Sequence, residues 1–172
     1  MLDALGFDDH SDRITLSVTT NGTLFKRSVR QDYLRRAPRS ITNFSIDAAT
    51  PETFKAIRIF DCFDKLLENF YAFSAERVRD RQFLRIHNNL NIMNVHEAVA
   101  MVAIAHKANV EYVEFNPTNG FNHKILVNET NCGVFAKAQQ DIVAECRRLN
   151  VPVNFIRDLD LGLTEKLVQL TM

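Results

Sequence analysis

Residues 41–58 decide the fold, and they read Ile-Thr-Asn-Phe-Ser-Ile-Asp-Ala-Ala-Thr-Pro-Glu-Thr-Phe-Lys-Ala-Ile-Arg. Residues 41–47 predict a short strand. Thr50-Pro51-Glu52 then begins a helix, because proline suits the first turn and an acidic side chain suits the helix amino terminus. Side chains alternate between the two faces of a strand, so Ser45 and Asp47 share one face. A hydroxyl and a carboxylate at the carboxyl end of a strand predict a pocket floor suited to a polyol such as a ribose.

Predicted strands and helices alternate along the whole chain. The predicted strands cover 14–20, 41–47, 83–92, 111–116 and 151–156. The predicted helices cover 24–36, 63–78, 95–108 and 132–149, in addition to the helix that begins at Pro51, and 161–170 is weakly helical. This alternation is typical of βαβ units, which form a parallel sheet with right-handed crossovers. Since no stretch rich in Gly, Pro or Ser interrupts the pattern, residues 1–172 are predicted to form a single domain.

The predicted strands have one apolar and one polar face. Along 83–92, for example, Leu84, Ile86, Leu90 and Ile92 alternate with Arg85, His87, Asn89 and Asn91. A parallel strand that helices cover on both faces is apolar nearly throughout, and a closed barrel is filled by branched aliphatic side chains. We therefore predict an α/β fold: an open partial (β/α) barrel, whose parallel sheet has helices on its outer face and a polar cavity on its inner face. A sheet with one solvent-facing side is the alternative.

Composition excludes several classes of function. The formal net charge of +0 argues against a surface for nucleic acid or anionic membranes, since both require an excess of basic residues. No apolar run approaches the roughly 18 residues that span a bilayer. The first residues, Met-Leu-Asp-Ala-Leu, lack the features of a secretory signal, so a cytoplasmic location is expected. A chain of 172 residues can form one core but is too short for an eight-fold barrel.

Cysteines and histidines give no metal-binding pattern. Cys62, Cys132 and Cys146 are an odd number without tight spacing, which fits neither a disulfide framework nor a zinc site. If Cys132 and Cys146 lie on one helix, they are about 21 Å apart and cannot share a metal. The five histidines form no metal-spaced pair. His87, on the polar face of its strand, is the one that could serve a site, although a hydrogen-bonded cavity residue is the preferred interpretation.

Three local patterns, taken together, resemble the radical S-adenosylmethionine (radical SAM) superfamily. They are Thr20-Asn21-Gly22-Thr23-Leu24 after a strand, then 45–58, then the strand leading to Asn94-Val95-His96-Glu97. They are similar to the third, fourth and fifth strand regions of that family's partial (β/α)6 barrel, and 111–116 would be the sixth strand. The likeness covers about residues 10–120, and 121–172 would contribute further β/α units.

The resemblance implies a site for the cofactor S-adenosylmethionine. Its implied binding residues are Ser45, Asp47, Arg58, Asn91, Thr20 and Asn21. Ser45 and Asp47 match the ribose-contacting strand, and Arg58 matches the arginine that in some members reaches the methionyl carboxylate. Asn91 matches a polar side chain that faces the cofactor, while Thr20 and Asn21 border the cavity. Alternatives stay open: Asp47 could cap the next helix, Arg58 could be a solvated helix residue, and Asn21 could serve a turn alone.

The sequence also departs from the family. A radical SAM enzyme holds its [4Fe–4S] cluster with a Cys-x3-Cys-x2-Cys loop, and this chain lacks that loop. The chain also lacks the glycine-rich segment that binds the cofactor's amino group in the family. The chain is therefore expected to be the C-terminal portion of a radical SAM core, without cluster ligands and inactive on its own. Its first strand would then form an exposed edge, through which the chain could self-associate.

Two other functions remain as alternatives. The chain could be a cluster-free nucleoside-binding module, in which a degenerate barrel keeps the pocket without the chemistry. An α/β enzyme of the aldolase or isomerase type would need a lysine or paired carboxylates at strand ends. No lysine ends a predicted strand, and Glu114 is only a possible partner for Asp47, so this alternative ranks last.

Overall fold

The protein is described here by a computed structural model, which covers residues 13–117 and 130–155. The weak helix predicted at 161–170 lies outside the described residues. The strands are β1 (Leu16–Thr20), β2 (Ser40–Ser45), β3 (Gln82–Leu90), β4 (Tyr112–Pro117) and β5 (Val153–Phe155). Helices follow at α1 (Arg27–Arg36), α2 (Pro51–Arg58), α3 (Phe63–Glu76), α4 (Ala98–Ala108) and α5 (Cys132–Leu149).

The strands form one parallel sheet in the order β1-β2-β3-β4-β5, so each strand pairs with the next along the chain. Within the described residues the sheet is open, with β1 and β5 at its edges. The predicted α/β fold, an open partial barrel of parallel strands with helices on its outer face, is confirmed. The edge position of β1 agrees with the expectation, while self-association through it stays a prediction.

One face of the sheet packs on the helices. The even-numbered residues of β2 and β3 are buried there, among them Phe44, Leu84 and Ile86, which are fully inaccessible to solvent. From the helix side, α3 contributes Phe70 and Phe73, whose rings contact Phe44. Because every described helix contributes to this side, the polar side chains of the odd-numbered strand residues are left on the opposite face.

Gly22 lets the chain turn sharply after β1. Its φ is +71°, a left-handed conformation that glycine adopts without steric cost. A Cβ atom here would lie 2.6 Å from Leu66 Cδ1 and 2.9 Å from Phe44 Cδ1, so the backbone approaches the core closely. The Asn69 side chain donates to the Gly22 carbonyl oxygen at 2.8 Å and fixes the turn against α3. The sequence Asn21-Gly22 therefore places the end of β1 beside the end of β2.

Most element boundaries differ from the predicted ones by a few residues. The largest difference is at α1, which begins at Arg27 rather than at residue 24, because the turn at Gly22 extends through Phe25, whose N–H donates to the Gly22 carbonyl. The helix predicted at 95–108 begins as a 3₁₀ turn at Val95–Glu97 before α4.

No helix in the described ranges has the length and apolar character of a membrane span.

Candidate functional site

The carboxyl ends of β2 and α2 meet in an ion pair between Asp47 and Arg58. Arg58 Nη2 contacts Asp47 Oδ2 and also donates to Ser45 Oγ at 3.2 Å. Asp47 is buried, whereas the Arg58 side chain is 37% exposed. The structure therefore brings together three predicted site residues, Ser45, Asp47 and Arg58. The alternative that Arg58 is a solvated helix residue is wrong.

The other oxygen of Asp47 binds the end of β3. The Asn89 backbone N–H donates to Asp47 Oδ1 at 2.9 Å. The Asn94 amide group bridges the same two segments, since its Nδ2 donates to the carbonyl oxygens of Asp47 at 2.7 Å and of Asn89 at 2.8 Å. Both carboxylate oxygens of Asp47 are thus engaged within the protein, and Asp47 acts chiefly to fix the position of the Arg58 guanidinium.

Helix α2 is capped by Thr50 rather than by Asp47. Thr50 Oγ1 accepts a hydrogen bond from the Thr53 N–H at 3.3 Å, and Pro51 occupies the first turn. The alternative role of Asp47 as a helix cap is therefore wrong. At the other end, Ile59 takes a left-handed φ of 65° and ends the helix directly after Arg58. A β-branched residue is strained in that conformation.

Glu97 holds the start of α2 against the segment that follows β3. Its carboxylate accepts from the backbone N–H groups of Ala49 at 2.8 Å and Thr50 at 3.2 Å. It also accepts from the hydroxyls of Thr50 and Thr53. Burial opposes the charge of Glu97, but these hydrogen bonds prevail and keep the pKa of its carboxyl below the ordinary value. Glu97 is therefore a charged anchor that fixes where α2 begins.

A cavity of about 520 Å³ lies beside Arg58, between the ends of β1, β2 and α2. Its lining residues are Asn21, Thr23, Leu24, Ser45, Phe54, Arg58, Phe60, Asp61 and Cys62. This volume is within the range of roughly 300–1,000 Å³ that is typical of small-molecule sites. The cavity thus offers one cation, several hydrogen-bonding groups and an apolar wall in one place.

Asn21 lines this cavity, and both Asn21 and its neighbour Thr20 shape the turn after β1. Asn21 lines the cavity, and its Oδ1 accepts from the Thr23 N–H at 3.3 Å. Thr20 Oγ1 accepts from the Gly22 N–H at 3.0 Å. Asn21 therefore serves a turn, as one interpretation expected, and it also lines the cavity.

Asn91 lies apart from the ion pair. It is buried directly after β3, where its Oδ1 accepts from the Met93 N–H at 2.8 Å and its N–H donates to Asn94 Oδ1 at 2.8 Å. These bonds form the turn that leads into Glu97. Like Thr20, Asn91 is a predicted site residue whose side chain forms a local turn and which is not among the residues that line the cavity.

The three cysteines do not converge. Cys62 precedes α3 and lines the cavity, whereas Cys132 and Cys146 lie near opposite ends of α5. The helix rise separates the latter two by about 21 Å. Burial raises the pKa of the Cys146 thiol to about 11, with the charge of Glu145 adding to the effect. Across 13–117 and 130–155, no group of three His, Cys, Asp or Glu side chains is placed to hold a metal ion.

A second titratable pair lies on the polar face of the sheet. His87 Nδ1 and Glu114 Oε1 are 2.7 Å apart, and the two residues are direct partners in the β3–β4 register. Glu114 therefore pairs with His87 and not with Asp47, so the paired carboxylates that an aldolase or isomerase would need are not formed at this point. The preferred interpretation of His87 as a hydrogen-bonded residue on the polar face agrees with this contact.

Sequence reasoning missed three residues that build the site: Asn89, Asn94 and Glu97. Asn89 acts through its backbone N–H, which no side-chain pattern reveals. Asn94 and Glu97 stood in the segment Asn94-Val95-His96-Glu97, but their contacts cross to the β2–α2 connection more than 40 residues earlier in the chain. The concentration of four asparagines at positions 88, 89, 91 and 94 was the available signal, because asparagine favours turns and hydrogen-bonds to backbone groups.

No known family model matches this sequence, and no curated protein sequence is detectably similar to it. Solved structures do share its fold. A domain of pyruvate-formate lyase-activating enzyme from Bacteroides vulgatus ATCC 8482 aligns with a TM-score of 0.62 at 12% identity, covering 90% of this chain and 92% of that one. SuiB of Streptococcus suis aligns with a TM-score of 0.60 at 11% identity, over 86% of this chain and 33% of SuiB.

A third solved structure, TYW1 with a lysine-pyruvate adduct bound, aligns with a TM-score of 0.51 at 16% identity, covering 82% of this chain and 42% of that one. These three neighbours are members of the radical SAM family. This chain spans nearly the whole of the first neighbour and less than half of the other two. At such low identities the similarity establishes the fold: the open parallel sheet found here is that of radical SAM partial barrels.

Proposed function

We propose that this chain is part of a radical SAM enzyme core and that the cavity at Arg58 binds S-adenosylmethionine. The observation that carries the proposal is the Arg58 guanidinium, which Asp47 and Ser45 fix at the mouth of a cavity at the carboxyl ends of parallel strands. Ligands of open parallel sheets bind at such strand ends. The shared fold of the three radical SAM neighbours supports the same interpretation.

Arg58 has hydrogen-bonding capacity to spare. A guanidinium carries five N–H donors, and in the described part of the chain only Nη2 of Arg58 is engaged. The remaining donors suit the methionyl carboxylate, with which a guanidinium forms a two-bond fork. The positive charge is already balanced by Asp47.

The rest of the cavity suits the adenosyl part of the cofactor. The Ser45 hydroxyl and the Asn21 amide would contact ribose hydroxyls, and Thr20 borders them. The apolar side chains of Leu24, Phe54 and Phe60 would contact the purine ring. Asp47 would contribute chiefly by positioning Arg58, and Asn91 by forming the turn that carries Glu97. The chain thereby holds and orients the cofactor.

The residues described here do not fit a [4Fe–4S] cluster. Three thiolates must converge within one small sphere, and Cys62, Cys132 and Cys146 lie on separate elements or at opposite ends of a helix. We therefore propose that these 172 residues alone bind S-adenosylmethionine without cleaving it. The same observation favours a second candidate, a cluster-free nucleoside-binding module.

Isothermal titration of the full chain with S-adenosylmethionine tests the proposal. We expect saturable binding, and we expect Arg58→Lys to weaken it by about tenfold to a hundredfold, since a hydrogen bond to a charged group contributes about 1.5–3 kcal/mol. Arg35→Lys is the matched control, because Arg35 is exposed on α1 and pairs with Asp32. Absence of binding, or equal loss in both variants, would contradict the proposal.

A further inference from the structure

A continuous row of polar side chains crosses the open face of the sheet. Ser45, His87, Glu114 and Asn154 are successive register partners on β2, β3, β4 and β5. His87 Nδ1 lies 2.7 Å from Glu114 Oε1, and Asn154 Nδ2 lies 3.4 Å from Glu114 Oε2. Since neighbouring strands are about 4.8 Å apart, His87 lies one strand away from the Ser45 end of the Arg58 cavity.

The contact with Glu114 determines which nitrogen of His87 is available. A carboxylate accepts hydrogen bonds only, so Nδ1 carries the proton and Nε2 of the neutral ring is an acceptor. Within 13–117 and 130–155, Nε2 has no hydrogen-bond partner. The His87 side chain is 25% exposed, and that of Glu114 is 16% exposed. Nε2 is thus an oriented acceptor at the open face.

Two further groups on this face have unused hydrogen-bonding capacity among the described residues. Asn116 Oδ1 is buried and has no hydrogen-bond partner within 13–117 and 130–155, and Asn116 shares a strand face with Glu114. Arg85 Nε is likewise buried and has no partner in the same ranges, while the Arg85 guanidinium lies over the Tyr112 ring at 4.4 Å. A buried polar atom that lacks a partner destabilises the fold. Arg85 precedes His87 by two residues on β3, and Asn116 follows Glu114 by two residues on β4, so the two groups flank the His87–Glu114 pair as one donor and one acceptor.

We propose that this face is a substrate subsite that binds an uncharged carboxamide group. An amide supplies an N–H to His87 Nε2 or Asn116 Oδ1 and a carbonyl oxygen to a donor such as Arg85 Nε, so it satisfies both kinds of unused group. A charged group fits less well, because Glu114 disfavours an anion and Arg85 disfavours a cation. The carboxamide lies one strand from the Arg58 cavity, within reach of a ligand bound there.

The subsite rests on the proposed function for one point alone, that its occupant is the molecule on which a cofactor at Arg58 would act. Its occupation by an amide can be measured without that cofactor. Failure of the subsite and failure of the proposed function therefore give different results.

The test is a long-range ¹H–¹⁵N correlation spectrum of the imidazoles in the full, uniformly ¹⁵N-labelled chain, with His87 assigned through His87→Gln. N-acetylglycinamide is the neutral amide probe, and acetate and methylammonium are the charged comparisons. We expect the amide alone to shift His87 Nε2 saturably. His96 and His106, both exposed, are internal controls that should not move. No shift of His87, equal shifts of all three histidines, or an equal response to the charged probes would overturn the subsite.

Titration with S-adenosylmethionine separates the two proposals. We expect His87→Gln to bind S-adenosylmethionine within twofold of the unmodified chain, because His87 lies outside the Arg58 cavity. A loss beyond tenfold in the folded variant would place His87 in the cofactor site and overturn a separate subsite. Saturable amide binding by a chain that fails to bind S-adenosylmethionine would support the subsite and remove the proposed function.

Discussion

Arg58, in the last turn of α2, is ion-paired with Asp47, which lies just beyond the end of β2. The pair fixes the end of the helix to the end of the strand at the opening of the cavity. Asp47 is buried and Arg58 is partly exposed, so the carboxylate anchors the pair and the guanidinium faces the cavity. A cationic group that is fixed before the ligand arrives loses less conformational entropy on binding.

Replacing Asp47 tests whether it positions Arg58. Asp47→Asn keeps an acceptor for the Asn89 N–H but removes the charge that holds the guanidinium. We expect the affinity for S-adenosylmethionine to fall by about tenfold, near the lower limit for a charged hydrogen bond. Asp32→Asn, which breaks the exposed pair with Arg35, is the control and should leave the affinity unchanged. Unchanged affinity in Asp47→Asn, measured by calorimetry, would remove Asp47 from the site.

Glu97 makes stability depend on pH. The pKa of Glu97 is lowered in the folded protein, so its ionised form stabilises the folded state more than its protonated form does. This contribution is therefore complete above the unfolded pKa of about 4.3 and is lost as the pH falls through the lower, folded value. We expect Glu97→Gln to lower the free energy of unfolding by about 1–3 kcal/mol at pH 7. In urea unfolding, the difference in free energy of unfolding between the unmodified chain and Glu97→Gln should become smaller from pH 7 to pH 3. A difference that stays constant would contradict the role of ionised Glu97.

Two glycines provide a matched test of backbone requirements. Gly22→Ala should destabilise the protein by about 2–4 kcal/mol, because a Cβ would meet Leu66 and Phe44 at a left-handed φ. Gly133 lies in α5, where no atom of the described residues comes within 4 Å of a Cβ at this position, so Gly133→Ala should stabilise the protein by up to about 1 kcal/mol. Chemical denaturation measures both. Equal effects of the two substitutions would refute the close approach at Gly22.

Periodicity helped to predict the fold because the strands alternate between a buried and a partly exposed face, although Thr42 and Asn88 are polar residues on the buried face. In β3 the even positions are buried and the odd positions are partly exposed, as the sequence alternation indicates. The boundary of α1 was less predictable, since the turn at Gly22 depends on contacts with Asn69 and Phe44, which are distant in sequence. Local propensity cannot register such contacts.

The site was predictable in part for the same reason. Strand alternation predicted that Ser45 and Asp47 share a face, and the resemblance to the radical SAM family pointed to Arg58. Their contact in the structure joins residues of one strand–helix unit. Glu97 and Asn94 were not found, because their partners lie across the sheet. The contact between His87 and Glu114 could likewise not be predicted from the sequence pattern, since it depends on the register between β3 and β4.

The cysteines predict the outcome of iron reconstitution. Anaerobic addition of iron and sulfide to the full chain should yield no stoichiometric [4Fe–4S] cluster, because its three thiols are dispersed. The high pKa of Cys146 also keeps that thiol protonated near neutral pH, so iodoacetamide should modify it far more slowly than Cys62. Visible absorbance and iron analysis give the first result, and mass spectrometry gives the second. A stoichiometric cluster would overturn the interpretation of the chain as a core without its cluster ligands.

The recognition of a carboxylate by Arg58 is the central claim, and a comparison of two ligands tests it most directly. S-adenosylmethionine and its decarboxylated form differ only in the group that Arg58 is proposed to bind. Calorimetry on the unmodified chain should show the decarboxylated form binding about tenfold to a hundredfold more weakly. The same comparison on Arg58→Ala should show nearly equal affinities. Equal binding of the two ligands by the unmodified chain, or a preference that persists in Arg58→Ala, would contradict the account.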